Sequence, residues 1–204
     1  MKQWAKQTGF TIVELLIVIV VIAILAAISI VAYNGIQLRA RNANTAAVVS
    51  AYQKALIQYA TVNGSYPPIT NGSGGAYACF GENNPGDLCW SRSVNQTVET
   101  ASFNDAIKPY LGNRIPDVNP TMVGAKNGAM FVNHTSASVT LDGVQYRYYI
   151  VYLMEGTGMQ CPIGPVLSGA WATFTSTIPA SGYTLGVGGV GTECWIKMPD
   201  PATL

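Results

Sequence analysis

The hydrophobic pattern of the chain is dominated by one block close to its N-terminus. Residues 15–32 are apolar except for Ser29. A helix rises ~1.5 Å per residue, so a run of ~18 apolar residues is long enough to cross a hydrocarbon layer of ~30 Å. The apolar core of a cleaved secretory signal is shorter, at ~7–15 residues. The block therefore predicts a membrane-spanning helix.

Apolar residues continue at nearly helical spacing beyond the block, up to Asn63-Gly64, where the glycine is a typical helix stop. These residues are Ile36, Leu38, Ala43, Ala47, Tyr52, Leu56 and Tyr59. The pattern predicts one helix from Phe10 to Val62, roughly 80 Å long. Its first half, 10–35, is apolar all round, whereas its second half, 36–63, is amphipathic and suited to packing on a domain.

The rest of the chain changes from helical to strand-like patterns. Residues 64–120 are rich in Gly, Pro, Asn and Ser, and they predict a connecting loop region with a short helix at Asn104–Leu111. In 121–204, Asp142-Gly143 predicts a two-residue hairpin turn. The strand-like runs are Ala129–Asn133, Ser138–Leu141, Val144–Met154, Trp171–Ile178 and Glu193–Met198. The predicted fold class is α+β, with the long N-terminal helix packed on a C-terminal antiparallel sheet.

The number and balance of charged residues argue against one class of function. Lys and Arg number 11 and Asp and Glu number 10, and charged residues make up 10% of the chain, about half the usual share. The net charge is +1. The composition shows no basic stripe of the kind that a dedicated nucleic-acid-binding protein carries.

All four cysteines, Cys79, Cys89, Cys161 and Cys194, follow the apolar block. An even number in a Gly- and Ser-rich region predicts disulfides in an oxidising compartment, with free thiols or a four-thiolate zinc site as alternatives. Zinc sites usually contain cysteine pairs two to four residues apart, and the chain has none. Of three possible pairings we favour Cys79–Cys89 with Cys161–Cys194. An oxidising location also orients the helix with its N-terminus in the cytoplasm and its C-terminus outside.

Glu14 lies inside the apolar stretch, after Phe10-Thr11-Ile12-Val13 and before Leu15. A carboxylate deep in lipid costs roughly a few kcal/mol, so such a residue usually has a partner or a function. The simpler alternative is that Glu14 lies at the cytoplasmic interface and reaches water.

The residues around Glu14 carry a family resemblance. Thr8-Gly9-Phe10-Thr11-Ile12-Val13-Glu14-Leu15-Leu16 resembles the class III signal of type IV prepilins and pseudopilins. The resemblance implies that 1–9 is a leader, that a membrane peptidase cuts between Gly9 and Phe10, and that the new amine of Phe10 is methylated. It also implies an assembly role, in which Glu14 of one subunit approaches Phe10 of another.

The helix exit carries a second resemblance, and the helix itself departs from the family. The stretch 55–67 resembles the helix exit of pseudopilins and related pilins. Where the family often has Gly and Pro, which loosen the helix during assembly, this chain has Ala23 and Val31. Gly35 is the residue that offers flexibility instead.

The resemblance implies a structural subunit, a major or minor pilin, rather than an enzyme. Its expected partners are copies of itself, other pilins, prepilin peptidase, the assembly platform in the membrane and membrane lipid, with nucleic acid only for a DNA-uptake pilus. The precursor is expected in the cytoplasmic membrane and the product in an extracellular pilus. Two alternatives stay open: a pseudopilin of a secretion or competence filament, and a single-span anchored binding protein that does not polymerise.

Other candidate sites have weaker support in the sequence. Gly186, Gly188 and Gly191 match G-x-G-x-x-G, but a dinucleotide loop needs a following helix and an acidic residue ~20 positions on. His134 is the only histidine, and we predict no catalytic site. The acidic residues are dispersed, so we predict no metal and no cofactor. Some pseudopilins bind calcium, which is the alternative, although no ligand set can be assigned. The dispersed acids are Asp105, Asp117, Asp142, Glu155 and Glu193.

Two further sets of residues have ordinary explanations. The tyrosines Tyr146, Tyr148, Tyr149 and Tyr152 form either a binding surface or, as we favour from strand alternation, part of the sheet core. The Asn-x-Ser/Thr triplets at Asn63, Asn71, Asn95 and Asn133 are expected by chance in this composition.

Overall fold

The computed structural model describes residues 10–69, 76–82, 88–90, 96–98, 101–118, 128–133, 139–141, 144–156, 159–163, 166–167, 183–184 and 191–204. The helices are α1 (Ile12–Asn63) and α2 (Ala101–Ile107), with 3-10 helices at Lys108–Leu111 and Pro201–Thr203. The strands are β1 (Ala76–Cys79), β2 (Leu88–Trp90), β3 (Gln96–Val98), β4 (Ala129–Asn133), β5 (Val139–Leu141), β6 (Val144–Tyr146), β7 (Tyr148–Glu155), β8 (Val166–Leu167), β9 (Tyr183–Thr184) and β10 (Gly191–Lys197). The α+β fold class is confirmed.

Helix α1 ends where the sequence predicts. Gly64 adopts a φ of 69°, which favours glycine, and its N–H donates to the carbonyl of Ala60 at 2.8 Å. Asn63 Nδ2 also donates to the carbonyl of Tyr59 at 2.8 Å, within the last turn of the helix. The helix begins at Ile12, two positions after the predicted start.

The main sheet is antiparallel and has the order β1-β4-β7-β10-β8, with β9 also paired to β10. Strand β7 lies between β4 and β10. Tyr152 pairs with Ala129 on the β4 side, and Val151 pairs with Trp195 on the β10 side. Residues distant in sequence therefore meet at β7, the longest strand described.

Several strand predictions are confirmed with small shifts. The run at Ala129–Asn133 is β4, and the last predicted strand is β10, shifted by about two residues. The long run Val144–Met154 is two strands, because the pairing is interrupted at Arg147. Leu141 pairs with Val144 as a two-residue hairpin requires, while the predicted turn 142–143 and the predicted strand 171–178 lie outside the described residues.

The region 64–120, predicted as a connecting loop region with a short helix, also contains β1, β2 and β3. Strand β1 pairs along its length with β4 and joins the main sheet. Four residues are too few to show a clear period of two, so the pairing partner, not the local pattern, determines this strand. The predicted short helix is α2 followed by a 3-10 helix, because Pro109 lacks the N–H that an α-helix would use.

The second half of α1 packs against one face of the sheet through a seam of buried residues. Tyr52 is central to it: its ring stacks on Phe80 with centroids 4.1 Å apart, and its hydroxyl donates to the carbonyl of Pro116 at 2.8 Å. The same hydroxyl accepts the N–H of Gly81 at 2.9 Å. The seam residues are Asn42, Thr45, Ala46, Val49, Tyr52, Ala55, Leu56 and Ala60.

Strand β7 is buried on both faces. Ile150 and Tyr152 lie in the cluster that includes α1, whereas Tyr149 and Val151 lie in a second cluster that includes Trp195. Tyr149 and Tyr152 are both fully buried, and Tyr148 is half-buried, so the core interpretation holds for the buried pair. The side chain of Tyr146 is not among those that the structure describes.

Candidate functional site

The predicted processing site lies at the beginning of α1. Phe10 is 89% exposed and precedes the first helical residue, Ile12, whereas Gly9 lies outside the described residues. A cut on the N-terminal side of Phe10 would therefore leave α1 whole. The new ammonium group would lie at the helix N-terminus, where the helix dipole disfavours positive charge.

Glu14 is held by its own helix terminus. Its Oε2 accepts the backbone N–H of Thr11 at 2.8 Å and the Thr11 hydroxyl at 2.7 Å. In return, Thr11 Oγ1 accepts the backbone N–H of Glu14 at 3.2 Å. This reciprocal arrangement is a capping box, in which the N-cap hydroxyl and the carboxylate three residues later satisfy the free donors of the first turn.

The capping box gives Glu14 a second role, within its own chain. The sequence predicts a carboxylate that either lies at the cytoplasmic interface or pairs with another subunit, whereas the structure gives it a partner within the chain. The signal was present as Thr11-x-x-Glu14 before an apolar run, which is the usual sequence form of this cap. In the single subunit the carboxylate therefore already has two donors, both from Thr11.

The first half of α1 exposes apolar side chains all round. Described side chains between Phe10 and Ile36 are exposed, and α1 is the one helix in the described part of the chain that is long and apolar enough to cross a membrane. Ser29 Oγ donates to the carbonyl of Leu25 at 2.7 Å, so its polar group is satisfied within the helix. An apolar surface of this extent requires lipid or protein to cover it.

The cysteines form two disulfides, Cys79–Cys89 and Cys161–Cys194, which is the pairing favoured among the three. Cys79, Cys89 and Cys194 are fully buried. With no free cysteine in the structure, thiolate nucleophiles and zinc–thiolate sites are excluded. The bridges join β1 to β2, and the segment after β7 to β10.

The remaining candidates do not converge on a site. His134, Asp142, Gly186 and Gly188 lie outside the described residues. Gly191 begins β10, so a strand follows the glycine pattern where a dinucleotide loop needs a helix.

The described acidic residues form no metal site. Asp105 and Asp117 are exposed, and within the described ranges no group of three or more His, Cys, Asp or Glu side chains is placed to hold a metal. Calcium binding stays an untested alternative. Glu155 forms a salt bridge with Arg41 of α1, with 2.7 Å between Arg41 Nη2 and Glu155 Oε2.

Comparison with known proteins gives one match. Residues 4–30 match the prokaryotic N-terminal methylation motif, which spans Gly9, Phe10, Glu14 and most of the apolar block. Neither a curated protein nor a solved structure matches the chain.

Proposed function

The chain carries a type IV prepilin-like signal, and from this premise we propose that the protein is a structural subunit, a major or minor pilin, of an extracellular type IV pilus. One observation carries the proposal: the methylation motif coincides with a helix whose first half exposes apolar side chains all round. Such a surface suits a subunit that is held first by lipid and then by other copies.

Processing is the first proposed step. Prepilin peptidase cuts between Gly9 and Phe10 and methylates the new amine, and the leader 1–9 is lost. The precursor spans the cytoplasmic membrane with its N-terminus inside. The location of Phe10 before the helix supports this step, because the peptidase can reach the bond without unwinding α1.

Polymerisation is the second proposed step. The apolar halves of α1 from many subunits pack together, and Glu14 of one subunit approaches the ammonium of Phe10 in another. At ~4 Å and an effective dielectric near 20, this attraction is of order 4 kcal/mol before desolvation. An unpaired charge inside an apolar bundle is far less favourable than a matched pair, so the pairing selects one axial register.

Mass spectrometry of the protein purified from its native cells tests processing. We expect a mature chain that begins at Phe10 and carries one added methyl group. An intact Met1, or a cut near Ala32, would contradict the proposal. Gly9→Leu is the matched variant, and it should leave the leader attached.

The capping box makes a sharper test of assembly possible, because it separates the charge of Glu14 from its hydrogen bonds. Glu14→Gln removes the charge but preserves the capping box, which accepts Glu or Gln at this position. Glu14→Leu removes both, whereas Thr11→Val removes the cap hydroxyl and retains the charge. If charge pairing drives assembly, both Glu14 variants should fail to form filaments and Thr11→Val should form them.

Filament yield is measured by shearing and electron microscopy, with membrane levels of the subunit as the control for expression. Normal filaments from Glu14→Gln would show that Glu14 serves only as a cap, and normal filaments from Glu14→Leu would remove the assembly role. A protein that stays functional without forming filaments would instead be an anchored binding protein. Long surface fibres distinguish a pilin from a pseudopilin, whose filament is short.

A further inference from the structure

Arg41 of α1 forms a two-point salt bridge with the side chain of Glu155, at the end of β7. Arg41 Nε donates to Glu155 Oε1 and Arg41 Nη2 donates to Oε2, each at 2.7 Å. This two-point geometry is the strongest form of the arginine–carboxylate pair. The hydrogen bond to Glu155 raises the pKa of Arg41 further above its ordinary value.

The next helix residue, Asn42, binds the backbone of the same strand residue. Asn42 Nδ2 donates to the carbonyl of Glu155, and the N–H of Glu155 donates to Asn42 Oδ1, both at 2.9 Å. Asn42 is only 4% exposed. Pairing between β4 and β7 ends at Tyr152, three residues before Glu155, so the Asn42 amide acts like a strand partner beyond the end of β4.

These polar contacts lie where α1 has little apolar packing. Between residues 41 and 48 the buried side chains are Asn42, Thr45 and Ala46, which are polar or small, and Val48 is partly buried. Large buried side chains begin at Val49. Because apolar stabilisation scales with the area removed from water, the first two turns of the seam depend mainly on the contacts to Glu155.

We propose that Arg41, Asn42 and Glu155 form a latch that fixes the first two turns of the docked helix against β7 and opens independently of the seam from Val49 to Ala60. Segments with few apolar contacts open locally at lower free energy than the core. The latch therefore sets which residue of α1 is the first that the sheet holds. It depends on packing within the domain alone, so it stands whether or not the protein forms a pilus.

The N–H of Glu155 reports directly on the latch, because Asn42 Oδ1 is its acceptor. Amide exchange is measured on the full chain in detergent micelles, by mass spectrometry with fragmentation to single residues. We expect the Glu155 amide to exchange at least ~10-fold faster than the slowest amides of β7 and β10. Equal exchange would mean that the latch opens only when the whole domain unfolds, which would overturn the proposal.

Two variants separate the parts of the latch. Asn42→Leu removes both backbone contacts at similar side-chain shape and should accelerate exchange at Glu155 by a further ~10-fold. Ile196 in β10 should accelerate by no more than the same factor, because the variant destabilises the latched state relative to the unfolded state as well. Glu155→Gln keeps the backbone contacts but weakens the interaction of the side chain with Arg41. It should therefore accelerate the amide of residue 155 by ~3-fold. The matched control is Lys54→Gln, at an exposed position of the same helix, and it should change neither amide.

The proposal fails if low concentrations of urea accelerate Glu155 and Ile196 with equal slopes, because Glu155 would then exchange only through global unfolding. It also fails if Asn42→Leu leaves exchange at Glu155 unchanged. Should Asn42→Leu not fold, Glu155→Gln alone decides, since its Gln side chain still accepts from Arg41. A residue 155 amide that Asn42→Leu accelerates, and whose exchange depends little on urea, supports the latch. An amide that is not accelerated, or that depends on urea as strongly as Ile196, rejects it.

Discussion

The two halves of α1 differ in where their apolar side chains go. In the first half, described side chains up to Ile36 are exposed, with no face that favours burial. In the second half, residues spaced by three and four positions are buried against the sheet while Lys54 and Gln58 stay exposed. One continuous helix thus has one half that is stabilised within the chain and another whose apolar surface needs lipid or other subunits.

This difference predicts that substitutions in the two halves have separate readouts. Changes in the docked half or in the sheet should alter the free energy of unfolding of the domain. Changes in the exposed half should alter membrane retention and assembly without affecting the domain.

Removal of the Cys161–Cys194 disulfide should have the largest effect on the domain. In the chain-entropy account, a bridge spanning 33 positions stabilises the fold by about 4 kcal/mol, and the Cys79–Cys89 bridge, spanning 10, by about 3 kcal/mol. Paired Cys→Ala variants are compared by urea unfolding followed through tryptophan fluorescence. Membrane retention should stay unchanged in both. A larger loss from the shorter bridge would contradict the entropic account.

Two leucines in the same helix provide a matched comparison. Leu56 is fully buried in the seam, so Leu56→Ala should lower the free energy of unfolding by about 3 kcal/mol. Leu16 is 54% exposed in the apolar half, and Leu16→Ala should change the free energy of unfolding by less than about 0.5 kcal/mol. Filament yield should change in both variants. If Leu16→Ala destabilised the domain as much as Leu56→Ala, the separation of the two halves would be wrong.

The boundary between the two halves was predictable from the sequence, because a change from all-round apolar to periodic apolar residues is visible in one chain segment. The helix end at Asn63-Gly64 was predictable for a similar reason, since the cap is local. The salt bridge between Arg41 and Glu155 was not predictable, because the two residues are 114 positions apart and no local pattern pairs them.

The sheet shows the same limit. Strand β4 is predictable from its own residues, whereas β1 exists because β4 pairs with it. The burial of both faces of β7 has a signal in the sequence that differs from strand alternation. Tyr148 to Met154 is a continuous run of apolar and aromatic residues, which is typical of strands covered on both sides.

Alkaline pH should weaken the domain through its buried phenols. Burial raises the pKa of Tyr66 and of Tyr152 above the ordinary value of 10.0, and the nearby Tyr148 and Asp200 raise that of Tyr66 further. Above pH ~10 the unfolded chain releases these protons while the folded chain keeps them, so the unfolded state binds fewer protons and stability falls as pH rises. Each phenol contributes up to about 1.4 kcal/mol per pH unit above ~10, and nothing below it.

Urea unfolding at several pH values between about 9 and 11 measures this slope. Tyr152→Phe should reduce the slope above pH ~10 by up to about 1.4 kcal/mol per unit. Tyr59→Phe, at a half-buried position of α1, is the control for loss of a hydroxyl. An unchanged slope in Tyr152→Phe would show that this phenol does not carry the pH dependence.

The smallest effect is expected at the beginning of α1. Thr11→Val keeps the shape of the side chain but removes the hydroxyl that accepts from the N–H of Glu14 and donates to its carboxylate. Loss of an N-cap costs about 1 kcal/mol, which is roughly a fivefold change in an equilibrium constant. First-turn amides of the full chain in micelles should therefore exchange roughly fivefold faster, with the domain amides unchanged.

The control is Thr61→Val, at the other end of the helix, because the Thr61 hydroxyl donates to the carbonyl of Ile57 and caps no N–H group. If first-turn exchange stayed the same, the carboxylate of Glu14 would not depend on Thr11, and its charge alone would account for its position next to the apolar block.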